Sequence, residues 1–213
     1  MTIGIIGAGA LGTALAKVLA SRGVKAVISN SRGPESLAPL VEELGPNIKA
    51  VTTEEAAKAD IVVLAVRWID VPKIVEGLPA WNGRIVIDAT NPLEFLAAGD
   101  PERNDPANPF GGLGVKLVDL SARVSSTIVA GLVPGARVVK TFNHFSAQLL
   151  LLPKVAGGRR VLFYSGDDAP AKAEVRRLIE TLGFAAIDLG PLTAGGVQTM
   201  PLGPLSMLDL VQV

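Results

Sequence analysis

Residues 3–23 read IGIIGAGALGTALAKVLASRG. Four mostly β-branched residues run into a turn, and the turn runs into an amphipathic stretch with the apolar spacing of a helix. Gly7, Gly9 and Gly12 stand in G-x-G-x-x-G spacing between the two. The spacing alone is common, but a strand before it and a helix after it are the context of a dinucleotide-binding turn. Gly7 would allow the tight turn, Gly9 would let backbone N–H groups approach a pyrophosphate, and Gly12 would let helix and strand pack closely. The phosphates would then meet the positive end of the helix dipole. The alternative is a glycine-rich turn without a ligand.

Working outward, short apolar runs alternate with helical stretches. Expected strands cover residues 3–6, 26–29, 48–51, 61–66, 85–88, 137–141, 161–165 and 185–188, and expected helices cover 11–22, 34–43, 54–58, 71–78, 121–132 and 169–182. Several strands are apolar throughout, as parallel strands buried on both faces are. The expected fold class is therefore α/β, a Rossmann-type doubly wound, mostly parallel sheet with a smaller C-terminal extension. Residues 1–145 would form the dinucleotide-binding domain and residues 146–213 a smaller part packed on it. Gly23 suits the end of the first helix and Asp168 the start of the last. Residues 97–114, AAGDPERNDPANPFGGLG, read as a long loop, either a lid or an insertion.

Composition narrows the function. The 213 residues are 49% hydrophobic and 19% charged, enough to bury a large core. Twenty basic residues balance twenty acidic ones, which argues against nucleic acid and anionic membranes as partners. With no cysteine and one histidine, disulfides, thiolate chemistry and a histidine-based metal cluster drop out. The start of the chain has no basic segment of a secretory signal, and runs such as DIVVLAV are too short to span a bilayer. A cytoplasmic location is the expectation.

The end of the second strand reads AVISNSRGPES. An enzyme selective for NAD carries an acid there to bond the ribose hydroxyls. Here Asn30, Ser31 and Arg32 stand instead, and a hydroxyl and a guanidinium suit a 2′-phosphate. The expected cofactor is NADP(H); otherwise Arg32 is a solvated turn residue. Ligands in open α/β folds bind beyond the carboxyl ends of the strands. This makes Ala65, Val66, Arg67, Trp68, Asn91 and Pro92 candidates to line the path to the nicotinamide. Trp68 could equally be core.

The segments IGIIGAGALGTALA, NSRGPESL, WNGRIVIDATNPL and VVKTFNHFSA, in that order, resemble the NADP oxidoreductases called coenzyme F420-dependent, which are related to the reductase domains of STEAP-type metalloreductases. The likeness runs from residue 3 to at least residue 190. It implies a Rossmann domain with a smaller C-terminal part and homodimers or larger assemblies. It implies that Ala8, Gly9, Ala10 and Leu11 hold the pyrophosphate, and that Ser31 and Arg32 hold the 2′-phosphate. It also implies that Val139 to Asn143 run beside the nicotinamide, with Ala147 packed close by. The chain departs from the family where Arg67 replaces a frequent proline, and where His144 replaces a threonine or an apolar residue. It also has no lysine between Arg32 and Lys49.

His144 is the one side chain with an unperturbed pKa in the physiological range, and so the candidate catalytic acid. It has three readings: a helix-start residue bonded to backbone, a contact shaping the pocket, or a general acid. Lys140, on a buried strand, reads as an ion-pairing residue before an acid, and Tyr164 as core. Hydride transfer between two organic redox cofactors needs stacking and exclusion of water more than acid–base help. The leading expectation is hydride transfer between NADP(H) and a small-molecule redox acceptor, a flavin or coenzyme F420-type deazaflavin. Residues 97–114 and the C-terminal PLGPLSMLDLVQV would help close the acceptor cleft. The alternatives are a reductase of small carbonyls or imines and an NADPH-binding sensor without turnover.

Overall fold

The computed structural model describes residues 1–155 and 157–213. In chain order the strands are β1 (Ile3–Ile6), β2 (Ala26–Ser29), β3 (Ile48–Ala50), β4 (Ile61–Leu64), β5 (Ile85–Asp88), β6 (Leu93–Phe95), β7 (Val115–Leu117), β8 (Arg137–Thr141), β9 (Lys154–Val155), β10 (Gly158–Gly166), β11 (Ala185–Asp188) and β12 (Val211–Gln212). The helices are α1 (Ala10–Ser21), α2 (Ala38–Leu44), α3 (Thr53–Ala56), α4 (Val71–Glu76), α5 (Ser125–Leu132), α6 (Ala147–Leu150), α7 (Ala169–Thr181) and α8 (Leu192–Thr199).

The main sheet runs β11-β10-β8-β5-β4-β1-β2-β3, with β9 and β12 added against β10. All neighbours along this order are parallel except β8 and β10. This is the Rossmann-type doubly wound, mostly parallel sheet. Its central strands β1, β4 and β5 are buried at every position, so their side chains are apolar in both directions except for Asp88 at the end of β5. Alternation across the pleat sorts them into two layers. Ile3, Ile5, Ile61 and Val63 pack with α1 and α7, while Ile6, Val62 and Leu64 pack with α4 and α5.

Helix α1 ends as its sequence suggests. Gly23 takes φ +69°, its amide bonds to the Ala20 carbonyl and the Val24 amide to the Leu19 carbonyl, a Schellman closure. Asp168 caps α7 by accepting a hydrogen bond from the Ala171 amide at 2.7 Å.

Two expectations need correction. The helix expected over 121–132 starts only at Ser125, because Ser121 and Ala122 have φ of +50° and +62°. There the Asp119 carboxylate accepts a bond from the Ser121 amide and makes a turn instead. The strand expected over 161–165 is longer, Gly158–Gly166. Residues 97–114 form a long loop between the antiparallel strands β6 and β7, with short 3-10 turns at Pro101–Arg103 and Gly111–Leu113. Arg103 donates to the Leu96 carbonyl, Asn108 to the carbonyls of Glu102 and Val115, and Lys116 pairs with Glu94 and Glu102.

Candidate functional site

The carboxyl ends of β1, β2, β4 and β5 surround a cleft of about 910 Å³. Each fingerprint glycine has its own physical reason. Gly7 has φ +109°, and a Cβ there would collide with the Ala65 carbonyl. A Cβ on Gly12 would collide with the Gly7 carbonyl, so α1 sits hard against the turn. A Cβ on Gly9 would meet nothing within 4 Å. Gly9 is also the N-cap of α1 and supplies no side-chain cap, which leaves first-turn N–H groups of the helix without an internal partner.

Beyond β2, the Asn30 side chain braces the turn that carries the next two residues. Its Nδ2 donates to the Ser36 hydroxyl at 2.9 Å, and its Oδ1 accepts from the Arg32 amide at 3.0 Å. Ser31 and Arg32 are left exposed at the cleft wall. On the opposite wall, Arg67 is paired with Asp70 at 2.6 Å. Trp68 lines the cleft and also packs on the core below it, and its indole N–H is buried with no partner among the described residues.

Of the residues singled out from the sequence, Gly7, Ala8, Gly9, Ala10, Leu11, Asn30, Ser31, Arg32, Ala65, Val66, Arg67, Trp68 and Asn91 all line this cleft. Gly12, Pro92 and Asn143 lie buried behind its walls, and Asn143 is tied to Asn91 by two hydrogen bonds. Ala147 lines a second, smaller cavity of about 430 Å³ between α1 and α6, which shares Ala8, Gly9 and Ala10 with the cleft. Neither residues 97–114 nor residues 201–213 line either cavity.

His144 is brought to neither cavity. It is 1% exposed, its ring packed edge-on to Phe145 and Phe163 at centroid distances of 4.3 and 5.0 Å. Neither ring nitrogen has a hydrogen-bond partner among the described residues. Burial pushes its pKa down to about 4; the Val161 backbone and the Asp209 carboxylate nearby oppose this only in part. The imidazole is therefore neutral at pH 7, and it lines neither cavity.

Sequence reading missed several lining residues. Thr53 and Glu54 follow β3, and Ala89 and Thr90 follow β5; the rule that ligands gather beyond strand ends points to both pairs. Asp70, Lys73, Ile74, Gly77 and Leu78 recur every three or four residues, so one side of the α4 segment faces the cleft. Leu93 and Phe95 come from β6, a strand that composition did not suggest.

Residues 2–92 match the family described as NADP oxidoreductase, coenzyme F420-dependent. The chain is 41% identical to the hypothetical protein SMa0349 of Sinorhizobium meliloti, covering all of this chain and 97% of that one with a TM-score of 0.87. It is 29% identical to a candidate F420-dependent NADP-reductase from an Arthrobacter species, over 91% of this chain and 86% of that one, TM-score 0.73. A reductive aminase of Aspergillus terreus, 21% identical, shares the fold with a TM-score of 0.60 over 91% of this chain and 55% of its own. Among the described residues, no helix is long and apolar enough to cross a membrane. The fingerprint turn, the cleft above it and these likenesses agree: residues 2–92 match the coenzyme F420-dependent NADP oxidoreductase family, and the chain is an NADP-dependent oxidoreductase.

Proposed function

We propose that the cleft holds NADP(H) and that hydride passes between its nicotinamide and a flavin or deazaflavin-type acceptor. The observation that carries this reading is the continuity of one cleft, from exposed Ser31 and Arg32, across the uncapped start of α1, to the ends of β4 and β5. In this reading Ser31 and Arg32 hold the 2′-phosphate and Asn30 fixes their turn. The loop from Gly7 to Gly12 receives the pyrophosphate. Ala65, Val66, Arg67, Asn91 and Pro92 border the nicotinamide half, with Asn143 behind them and Ala147 beside it.

The chemistry of the walls favours an acceptor that needs no protein acid. Beyond β4 and β5 the wall offers Ala65, Val66, Trp68, Ala89, Thr90 and Asn91, with Lys73 and the paired Arg67 and Asp70 as its charged groups. The Thr90 hydroxyl is committed to Asp88 at 2.7 Å, and buried His144 lines neither cavity. A ring that accepts hydride directly suits such a site better than a ketone or imine whose developing charge needs a proton. Residues 1–145 form the NADP-binding part and 146–213 a smaller part packed on it. The protein works in the cytoplasm as a homodimer, for which Leu202, Met207 and Leu210 offer exposed apolar surface.

The test pairs cofactor choice with acceptor choice. Arg32→Ala should weaken NADPH by about tenfold or more, the scale of a charge-assisted hydrogen bond, and leave NADH unchanged. Equal loss for both cofactors would remove Arg32 from the 2′-phosphate. NADPH oxidation, followed optically against flavins, deazaflavins and small carbonyls, should appear with the ring acceptors. Turnover only with carbonyls would replace this acceptor class.

A further inference from the structure

Behind the cleft wall, a charge pair is fully buried. Asp88 ends β5, Lys140 lies directly opposite it on β8, and they are 0% and 1% exposed. Lys140 Nζ donates to Asp88 Oδ2 at 3.0 Å and also to the Thr90 carbonyl. The other carboxylate oxygen of Asp88, Oδ1, accepts from the Thr90 amide at 3.0 Å and from the Thr90 hydroxyl at 2.7 Å. Thr90 is thus gripped at its amide, its hydroxyl and its carbonyl.

The next residue, Asn91, is the one that faces the cleft. Its Nδ2 donates to the Asn143 carbonyl at 2.8 Å, and its Oδ1 accepts from Asn143 Nδ2 at 3.0 Å. Asn143 Nδ2 also donates to the Thr199 carbonyl at 2.8 Å, which anchors the pair to α8. Asn143 Oδ1 is buried with no partner among the described residues.

Such a pair is poorly explained by stability alone. Desolvating two charges costs about as much as their attraction returns, and well-packed apolar replacements of a buried pair are often neutral or stabilising. A role in holding geometry is the better account of why the charges sit at this place.

We propose that Asp88 and Lys140 are positioning residues: through Thr90 they fix the Asn91–Asn143 amide pair as the wall that registers the nicotinamide half of the cofactor. The inference rests on reading the cleft as the NADP(H) site. It makes the pair specific to one half of the ligand. The adenosine half meets β2 and the turn at residues 30–32, on the far side of β4 and β1 in the sheet order.

The experiment compares two ligands, NADPH and 2′,5′-ADP, which is the adenosine half alone. In wild type NADPH should bind the more tightly. The double variant Asp88→Leu with Lys140→Met removes both charges at similar volume. It should bind 2′,5′-ADP with unchanged Kd, lose about tenfold or more of its affinity for NADPH, and lose kcat further, since a misplaced ring transfers hydride poorly. A general loosening of the fold would weaken both ligands together and overturn the proposal, as would a variant that keeps the wild-type ratio of the two Kd values. If the double variant does not fold, Thr90→Val keeps both charges and removes only the hydroxyl bond. Its ratio should fall in the same direction, and an unchanged ratio overturns the proposal. Wild-type protein that binds neither ligand overturns the reading of the cleft, and the inference with it.

Discussion

His144 has the chemistry of a proton donor and the surroundings of a core residue. Its ring lies between Phe145 and Phe163, with burial holding the folded-state pKa at about 4, against an ordinary value of 6.5. The direction of the effect on stability follows. Above pH 6.5 the imidazole is neutral in both folded and unfolded chains and has no effect. As pH falls from 6.5 towards 4, the unfolded chain takes up a proton that the folded chain refuses, so the fold loses stability. The full loss is on the order of 3 kcal/mol, from 1.36 kcal/mol per pH unit between the two values. His144→Phe should flatten the fall in Tm between pH 7 and pH 4.5. It should leave NADPH oxidation at pH 7.5 within about threefold of wild type, because loss of a working general acid would cost about 10²–10⁴. A larger loss at pH 7.5 would return His144 to the chemistry. Phe142, two positions earlier and also buried, has φ +65°, a conformation costing a bulky residue about 1–3 kcal/mol. That bend lies between the end of β8 and the buried histidine. No residue count or spacing reveals it.

At the level of elements, the strand–turn–helix at residues 3–21 does two separable jobs. Gly12→Ala forces a Cβ into the Gly7 carbonyl, so α1 must lift off β1. Overpacking of this kind costs about 1–3 kcal/mol and should lower the urea midpoint. Gly9→Ala meets open space, and its φ of −78° suits alanine. It should change stability by about 0.5 kcal/mol or less while weakening NADPH about tenfold or more, as a methyl group enters the space a pyrophosphate needs. The reverse ranking in unfolding and binding titrations would undo these assignments. The same contrast explains what was legible. Strands such as β1, β4 and β5 are apolar runs whose burial on both faces writes itself into composition. The hairpin of β6 and β7 is held by Arg103, Asn108 and Lys116, with Lys116 reaching back twenty-two positions to Glu94, and no local pattern encodes that. Helix α8 contains Gly195 and Gly196, which propensity counts against a helix. They are there because a Cβ on either would strike Ser165 or Ser126, on β10 and α5.

Across the whole molecule, the main strand order changes direction once, between β8 and β10. Thr141, the last residue of β8, pairs with Tyr164, so the first six residues of the nine-residue β10 run on past the end of β8. The C-terminal chain returns along this overhang: β12 pairs with β10, Arg160 bonds Asp209 at 2.8 Å, and the Met207 amide bonds the His144 carbonyl. The tail thus packs beside His144 and lines neither cavity. With no other imidazole in the chain, His144 is a built-in spectroscopic label. The ring protons of His144 lie beside two phenyl rings and should give one isolated pair of proton NMR signals shifted by their ring currents. Those signals should not titrate between pH 6 and 8. Because the neighbouring Asn143 is bonded to Asn91 in the cleft wall, they should move when NADPH is added and stay still with 2′,5′-ADP. A single resonance would then report, without isotope labelling or mutation, which half of the cofactor has docked.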